Sequence, residues 1–339
     1  GGNITMADNG ADGAVSTATG NIRYLATGDI SVASLSGADV LISAGGSIID
    51  TGETDVDVIA TNAQLVAGAG IGEAAGTNNG PLETTVGTLA ASAGTGNIFI
   101  SETDDLNLGS VAAIDVLRVI IDSTTANQAG AVLAGASAAQ ALMIEAGNGI
   151  VVDEAVLASG NDLLLDAQGG DLAINNTVTA TAGNASLLAS ANITQAEAGD
   201  VTSGGTLDVN AQGGNITMAD DGADGAVSTA TGNIRYLATG DISVASLSGA
   251  DVFVNAGGSI IDSGETDVDV IATNAQLVAA TSIGEAAGTN NGPLETTVGT
   301  ITACGGTGNI YLSETDDLII GSVATIDVLR LAIEKTHAK

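Results

Sequence analysis

Two acidic runs recur in this chain and invite a catalytic reading. "SETDDL" gathers Glu102, Asp104 and Asp105, and a second copy gathers Glu314, Asp316 and Asp317. Carboxylates a few ångströms apart can divide acid and base roles in polysaccharide cleavage. An enzyme acting on acidic sugars also needs cations and a proton donor beside them. Here the one histidine is His337, the lysines are Lys335 and Lys339, and Arg23, Arg118, Arg235 and Arg330 stand singly. The acids therefore read as solvated strand ends, no catalytic residue is assigned, and the chain is not expected to be an enzyme. "DNGADG" (Asp8 to Gly13) and "DDGADG" (Asp220 to Gly225) have the oxygen-rich spacing of a hard-cation loop. They lack the bidentate Glu and the length of an EF-hand. Acidic turns where Ca2+ could sit are the expectation, with no metal or cofactor residue assigned. Cys304 stands where the first copy has Ser92, which points to a packing or surface residue rather than a nucleophile. Asn3, Asn175, Asn184, Asn192 and Asn215 head Asn-x-Ser/Thr triplets, a pattern that a Gly/Asn/Thr-rich chain produces readily.

Charge narrows the partners. Forty acids against six Lys plus Arg give a net charge of −34. Nucleic acid is excluded, because binding it requires basic groups on phosphates. An anionic membrane surface repels such a chain, whereas divalent cations are attracted. Membrane insertion is not expected either, since the long uncharged stretch 123–144 carries Ser, Thr, Asn and Gln. No leader is visible at Gly1, which starts inside the repeating pattern. Hydrophobic residues make up 45% of the chain and aromatic residues only 1%, so the core must be Val, Ile, Leu and Ala.

The elements that would position these residues are written twice. Residues 1–121 and 213–333 align without a gap, with about 19 differences. Between them, 122–212 reads as further coils, so that 1–339 is expected to be one continuous solenoid. Apolar and polar residues alternate in "DVDVIA", "GDISVASL" and "TLDVNA", the period of half-buried strands. Glycine corners ("GGNI", "TGDI", "AGGSI") separate them, and Gly45 is expected at positive φ. Ile4, Ile22, Val40 and Val58 fall 18 residues apart, as do Ile98 and Val116, while Asp166 and Asn210 lie 44 apart, about two turns of 22. Ala129 to Ile144 reads as a coil or a short helix, and Gly72 to Gly80 and Gly284 to Gly292 as loops leaving the stack. The fold class is all-β: a β-solenoid of about 17 coils, forming an elongated rod about 80 Å long at a strand spacing near 4.8 Å.

"LVAGAGIGEAAGTNNGPLETTVGTLAA" followed by "GTGNIFISETDDLNLGSV" resembles the repeats of filamentous haemagglutinin-like giant bacterial surface proteins. The matching positions are Gly70-Ile71-Gly72, Pro81 to Thr84 and Gly96-Asn97-Ile98, then Ile283-Gly284, Pro293 to Thr296 and Gly308-Asn309-Ile310. Gly80 and Gly292 depart from the Asn usual before Pro, and Ser282 replaces the first Gly of "GIG". The resemblance implies a single-stranded right-handed parallel β-helix in an extracellular, cell-surface adhesin. The function expected is a structural or adhesive fibre segment. Its expected partners are further copies, joined end to end or in a longer covalent array, and a host or neighbouring-cell surface ligand. Two alternatives are a carbohydrate- or ice-binding module with a flat Thr/Asn face and a polysaccharide-degrading β-helix enzyme.

Overall fold

Short strands turn at glycine corners, and each coil lies parallel on the one before it. The computed structural model describes all residues except 1, 9–12, 53–54, 75–78, 221, 223–224, 265–266, 287–290 and 334–339. No helix occurs among the described residues, and the stacked parallel coils form a β-solenoid of about 13 turns. The strand chemistry explains why. Val and Ile suit a pleated strand, and alternate residues point inward, so each coil exposes an apolar rim that only another coil can cover.

The chain divides into two compact units, and the first comprises 1–148, 152–160 and 332–339. Three ladders fill its interior. One runs Ile4, Ile30, Ile48, Ile71 and Ile98, rung by rung. Another runs Ile22, Val40, Ala63 and Leu89. The third begins apolar, with Leu35 and Val58, and ends polar, with Thr84 and Glu102. The second unit, 149–151 and 161–331, is built alike. Leu172, Ile193, Ile216, Ile242, Ile260, Ile283 and Ile310 form one ladder. Leu163, Ala185, Leu207, Ile234, Val252, Ala275 and Ile301 form the next. Ile30, Ile48, Ile71, Ile242, Ile260 and Ile283 have no exposed surface, and each such side chain contributes about 1.5–3 kcal/mol by leaving water.

The two copies share one coil path over 22–93 and 234–305, and differ beyond it: Ile98–Glu102 and Val116–Val119 have no strands of the same bounds at 310–314 and 328–331. Strands Ile22–Ala26, Asp39–Ala44, Val58–Ala67 and Leu82–Ala93 recur as Ile234–Ala238, Asp251–Ala256, Val270–Ala279 and Leu294–Gly305. Their registers recur too: Val40 pairs with Ala63 as Val252 pairs with Ala275.

Coil length is not constant, which corrects the count of about 17. The intervals 4→30, 30→48, 48→71 and 71→98 are 26, 18, 23 and 27 residues. Of the 18-residue series, only Ile22 to Val40 is one coil; Val58 pairs with Leu35, on another face. The 44-residue interval does hold, because Asp166, Leu188 and Asn210 are successive rungs. Val116 leaves the stack altogether. Val116–Val119 pairs antiparallel with Thr125–Gln128, and Ser110–Val111 with Leu133–Ala134, so 110–134 is an excursion. Ala129 to Ile144 contains strands and no helix. The loop starting at Gly72 is closed at its base, where Glu73 N–H donates to the Gly80 carbonyl at 2.8 Å; its tip lies outside the described residues.

Gly45 is not among the positive-φ glycines, contrary to expectation. A different constraint acts there: an added Cβ would collide with the carbonyl oxygen of Thr27 on the neighbouring coil. Positive φ occurs instead at Gly52 (90°) and Gly264 (107°), directly beside the acidic clusters described next.

Candidate functional site

The densest chemistry lies in two equivalent carboxylate clusters. Asp50 ends strand Ile48–Asp50, Asp57 precedes Val58–Ala67, and Glu83 lies in Leu82–Ala93. Stacking of the coils brings one oxygen from each within 4.8 Å of the others, and Asp262, Asp269 and Glu295 repeat the arrangement. Asp50 and Asp262 are 2% and 1% exposed, and Asp57 and Asp269 are fully buried. Backbone amides hold them in place. Asp50 accepts from Gly52 N–H and Gly80 N–H, both at 2.8 Å, and Asp57 accepts from Glu83 N–H at 3.0 Å. The second cluster has the same set, with Gly264, Gly292 and Glu295 as donors. Gly52 and Gly264, whose N–H groups close the turns onto Asp50 and Asp262, adopt positive φ, a backbone conformation that glycine tolerates best.

Three convergent carboxylates cannot all stay ionised in such a site without compensation. Burial, followed by the negative charge of Asp262, pushes the Glu295 carboxyl above its usual range. Sharing a proton relieves the repulsion; so does a hard divalent cation such as Ca2+, whose preferred ligands are carboxylate and carbonyl oxygens. The donor set here is all oxygen and suits a hard ion rather than a soft one. These residues were not the ones expected to hold a cation. Of the expected turns, 9–12, 221 and 223–224 lie outside the described residues. Asp220, with Glu197, Asp200 and Asp267, lines an open hollow of about 300 Å³.

Glu102 corrects the reading of "SETDDL" as solvated. It is 3% exposed, because it is the rung after Thr84 in the third ladder of the first unit. Its carboxylate accepts from Thr84 Oγ1 at 2.7 Å, Val86 N–H at 3.1 Å and Thr103 N–H at 3.0 Å. Burial outweighs these donors and pushes its pKa up to about 7. Asp104 and Asp105 are exposed, as expected, and so are Asp316 and Asp317. Glu314 repeats the Thr contact, at 2.8 Å from Thr296, in a half-buried setting.

Two groups of functional residues escaped sequence reasoning. Asn and Asp at the corners form hydrogen-bonded ladders in which each side-chain oxygen accepts from a backbone N–H one coil on. In the second unit Asp171, Asn192, Asn215 and Asp241 accept in turn from Asn192, Asn215, Asp241 and Ser259, at 2.7–2.9 Å. In the first, Asn3 and Asp29 accept from Asp29 and Ser47. The sequon residues Asn3, Asn192 and Asn215 thus serve as corner supports, and Asn184 does the same for Thr206. The other group surrounds Asp208, which is fully buried. It accepts from Arg235 Nε at 2.9 Å and Arg330 Nε at 2.6 Å. Nearby in the same unit, the fully buried Tyr236 hydroxyl meets Ser228 Oγ at 2.6 Å, and burial raises its pKa.

Cys304 is exposed, and Lys335, His337 and Lys339 lie outside the described residues. Among the described residues no helix is long and apolar enough to cross a membrane. No protein-family model, curated protein or solved structure matches the chain.

Proposed function

We propose that the chain is a structural and adhesive segment of a secreted bacterial surface fibre of the filamentous haemagglutinin-like kind. The observation that carries this reading is the exact reuse of a coil path: strand bounds and registers in 22–93 return 212 positions later, in 234–305. A catalyst gains little from a second copy of its scaffold, whereas a fibre gains length and repeated surface. What is duplicated is also structural in kind: the aliphatic ladders, the corner Asn/Asp bonds and the carboxylate clusters that tie neighbouring coils together. The repeats that resemble surface-protein motifs, Gly70 to Gly72 and Pro81 to Thr84, fall at the base of the 72–80 loop and the strand after it. No enzymatic role is proposed. Two of the four arginines that could hold an acidic sugar, Arg235 and Arg330, are engaged on Asp208. Immunogold labelling of intact source cells with antibody to this chain tests the reading. Label on extracellular fibres is the expected result. Label confined to the interior of permeabilised cells would overturn it.

A further inference from the structure

A segment of the second unit lies across the outside of its coils, along the stacking direction. By strand parity Ser186, Asp208, Arg235, Phe253, Gln276 and Thr302 point outward, and they are successive rungs of one column. Residues 322–331 belong to no strand and run down this column from its last rung to its first. Thr302 Oγ1 donates to the Gly321 carbonyl at 2.5 Å and accepts from Val323 N–H at 3.1 Å. Asn233 Nδ2 donates to the Asp327 carbonyl at 2.9 Å. Leu329 N–H donates to Thr206 Oγ1 at 3.3 Å, Arg330 Nε to Asp208 at 2.6 Å, and Leu331 N–H to Ser186 Oγ at 3.0 Å. The segment also shuts out water. Ile326 and Leu331 are buried, and Ser186 and Asp208 have no exposed surface although they face outward.

This segment has little slack. The column from Ser186 to Thr302 spans about 24 Å at a strand spacing near 4.8 Å. The chain from Val323 to Leu331, fully extended, reaches about 26–29 Å. Parting the coils beneath it by more than about 5 Å along the axis therefore exceeds its reach. The start of the same device recurs in the first unit, where Val111 and Ile114 are buried against Leu41 and Ala90. There Gln64 Nε2 donates to the Val111 and Ala112 carbonyls at 2.9 and 3.0 Å, and Asn21 Nδ2 to the Asp115 carbonyl at 3.1 Å.

We infer that residues 321–331 are an axial strap, which latches the coils from Ala185–Ala189 to Leu294–Gly305 into one block that opens only after the strap detaches. Thr302 anchors one end of the strap, and the bond from Arg330 to the buried Asp208 is the catch at the other. Under tension along the stack the strap shares the load with the backbone bonds between coils. Once it detaches, the coils release in turn. This inference rests on the structural reading of the chain and adds how the repeat resists axial tension.

Amide hydrogen exchange on the full chain tests the strap. Ile326→Asp with Leu331→Asp removes both of its apolar anchors and keeps every strand residue. Exchange should then quicken at least about tenfold in all of Ala185–Ala189, Leu207–Ala211, Ile234–Ala238 and Asp251–Ala256, with Asp39–Ala44 of the first unit at its wild-type rate. Ile326→Val with Leu331→Ile should leave every rate unchanged. Thr302→Ala is a milder variant, because the first copy carries Ala90 at that position. It should quicken exchange about threefold in Leu207–Ala211, at the far end of the strap. Wild-type exchange throughout the Asp-bearing variant, or faster exchange only in Ala185–Ala189 beside Leu331, would overturn the proposal. Should that variant leave the second unit unfolded, Thr302→Ala decides, and an effect confined to Leu294–Gly305 would overturn the strap. The place of the immunogold label does not depend on the strap, so failure here leaves the fibre reading standing.

Discussion

Replacing Asp208 with Ala should loosen the second unit from its middle. The carboxylate is fully buried and accepts from two guanidinium nitrogens at 2.9 and 2.6 Å. Removing one member of a buried ion pair costs about 3–5 kcal/mol, because the remaining charge loses its partner. The guanidiniums here are 21% and 39% exposed, so water recovers part of that loss, and about 2–3 kcal/mol is the working figure. Asp208→Asn keeps one acceptor oxygen and should cost less, about 1–2 kcal/mol. Unfolding of stacked coils need not be two-state, so hydrogen exchange is a better assay than a single melting curve. Amides of Ile234–Ala238 should exchange about 30- to 150-fold faster in Asp208→Ala, and those of Asp39–Ala44 at the wild-type rate. Because the contact is buried, high salt should change the difference little. Wild-type exchange in Ile234–Ala238 of the Ala variant would refute the assigned role of the clamp.

Glu102→Gln addresses pH. A carboxyl whose folded-state pKa is raised stabilises most below its unfolded value of 4.5, and loses that contribution as pH rises through about 7. The full rise from 4.5 to about 7 corresponds to an upper bound of about 3.4 kcal/mol; the Gln variant should therefore flatten the fall in thermal stability between pH 5 and 8, and an unaltered pH slope would count against it. Gly45→Val should lower stability by about 1–3 kcal/mol through collision with Thr27, measurable as a lower melting temperature. At the carboxylate clusters, the raised Glu295 pKa gives the same sign: in EDTA, stability should fall as pH rises above the usual carboxylate value of 4.5. Excess Ca2+ at pH 8 should restore it, and Asp57→Asn combined with Asp269→Asn should abolish the calcium effect; a calcium response that survives the double substitution would place the ion elsewhere.

The fold was legible because its ladder is written in residue types. Val and Ile recur at strand parity, glycines mark the corners, and the 44-residue interval follows two real coils. The coil count was not legible, since excursions such as 110–134 consume chain without adding a coil. Glu102 could have been placed correctly. Ile98, Ile100 and Glu102 alternate on one face of "NIFISE", so parity puts the acid inside, against the habit of reading acids as solvated. The carboxylate clusters offered no such signal. Asp57 and Glu83 meet because the intervening coil is 26 residues long, and that length is visible only in the register Val58 to Thr84. The corner ladders were half visible: the "GNI" and "GDI" turns stood out for their glycines, while the bonding residue was the Asn or Asp beside them.

A chain whose role is structural must hold its coils under tension. Single-molecule stretching between the two ends tests this most directly. Coils of 18 to 27 residues, as in the intervals 30→48 and 71→98, should release one at a time. At about 3.4 Å per extended residue, each step should lengthen the chain by about 60–90 Å, with matching step series from the two copies. Smooth extension at low force, without coil-sized steps, would contradict a structural role for the stack.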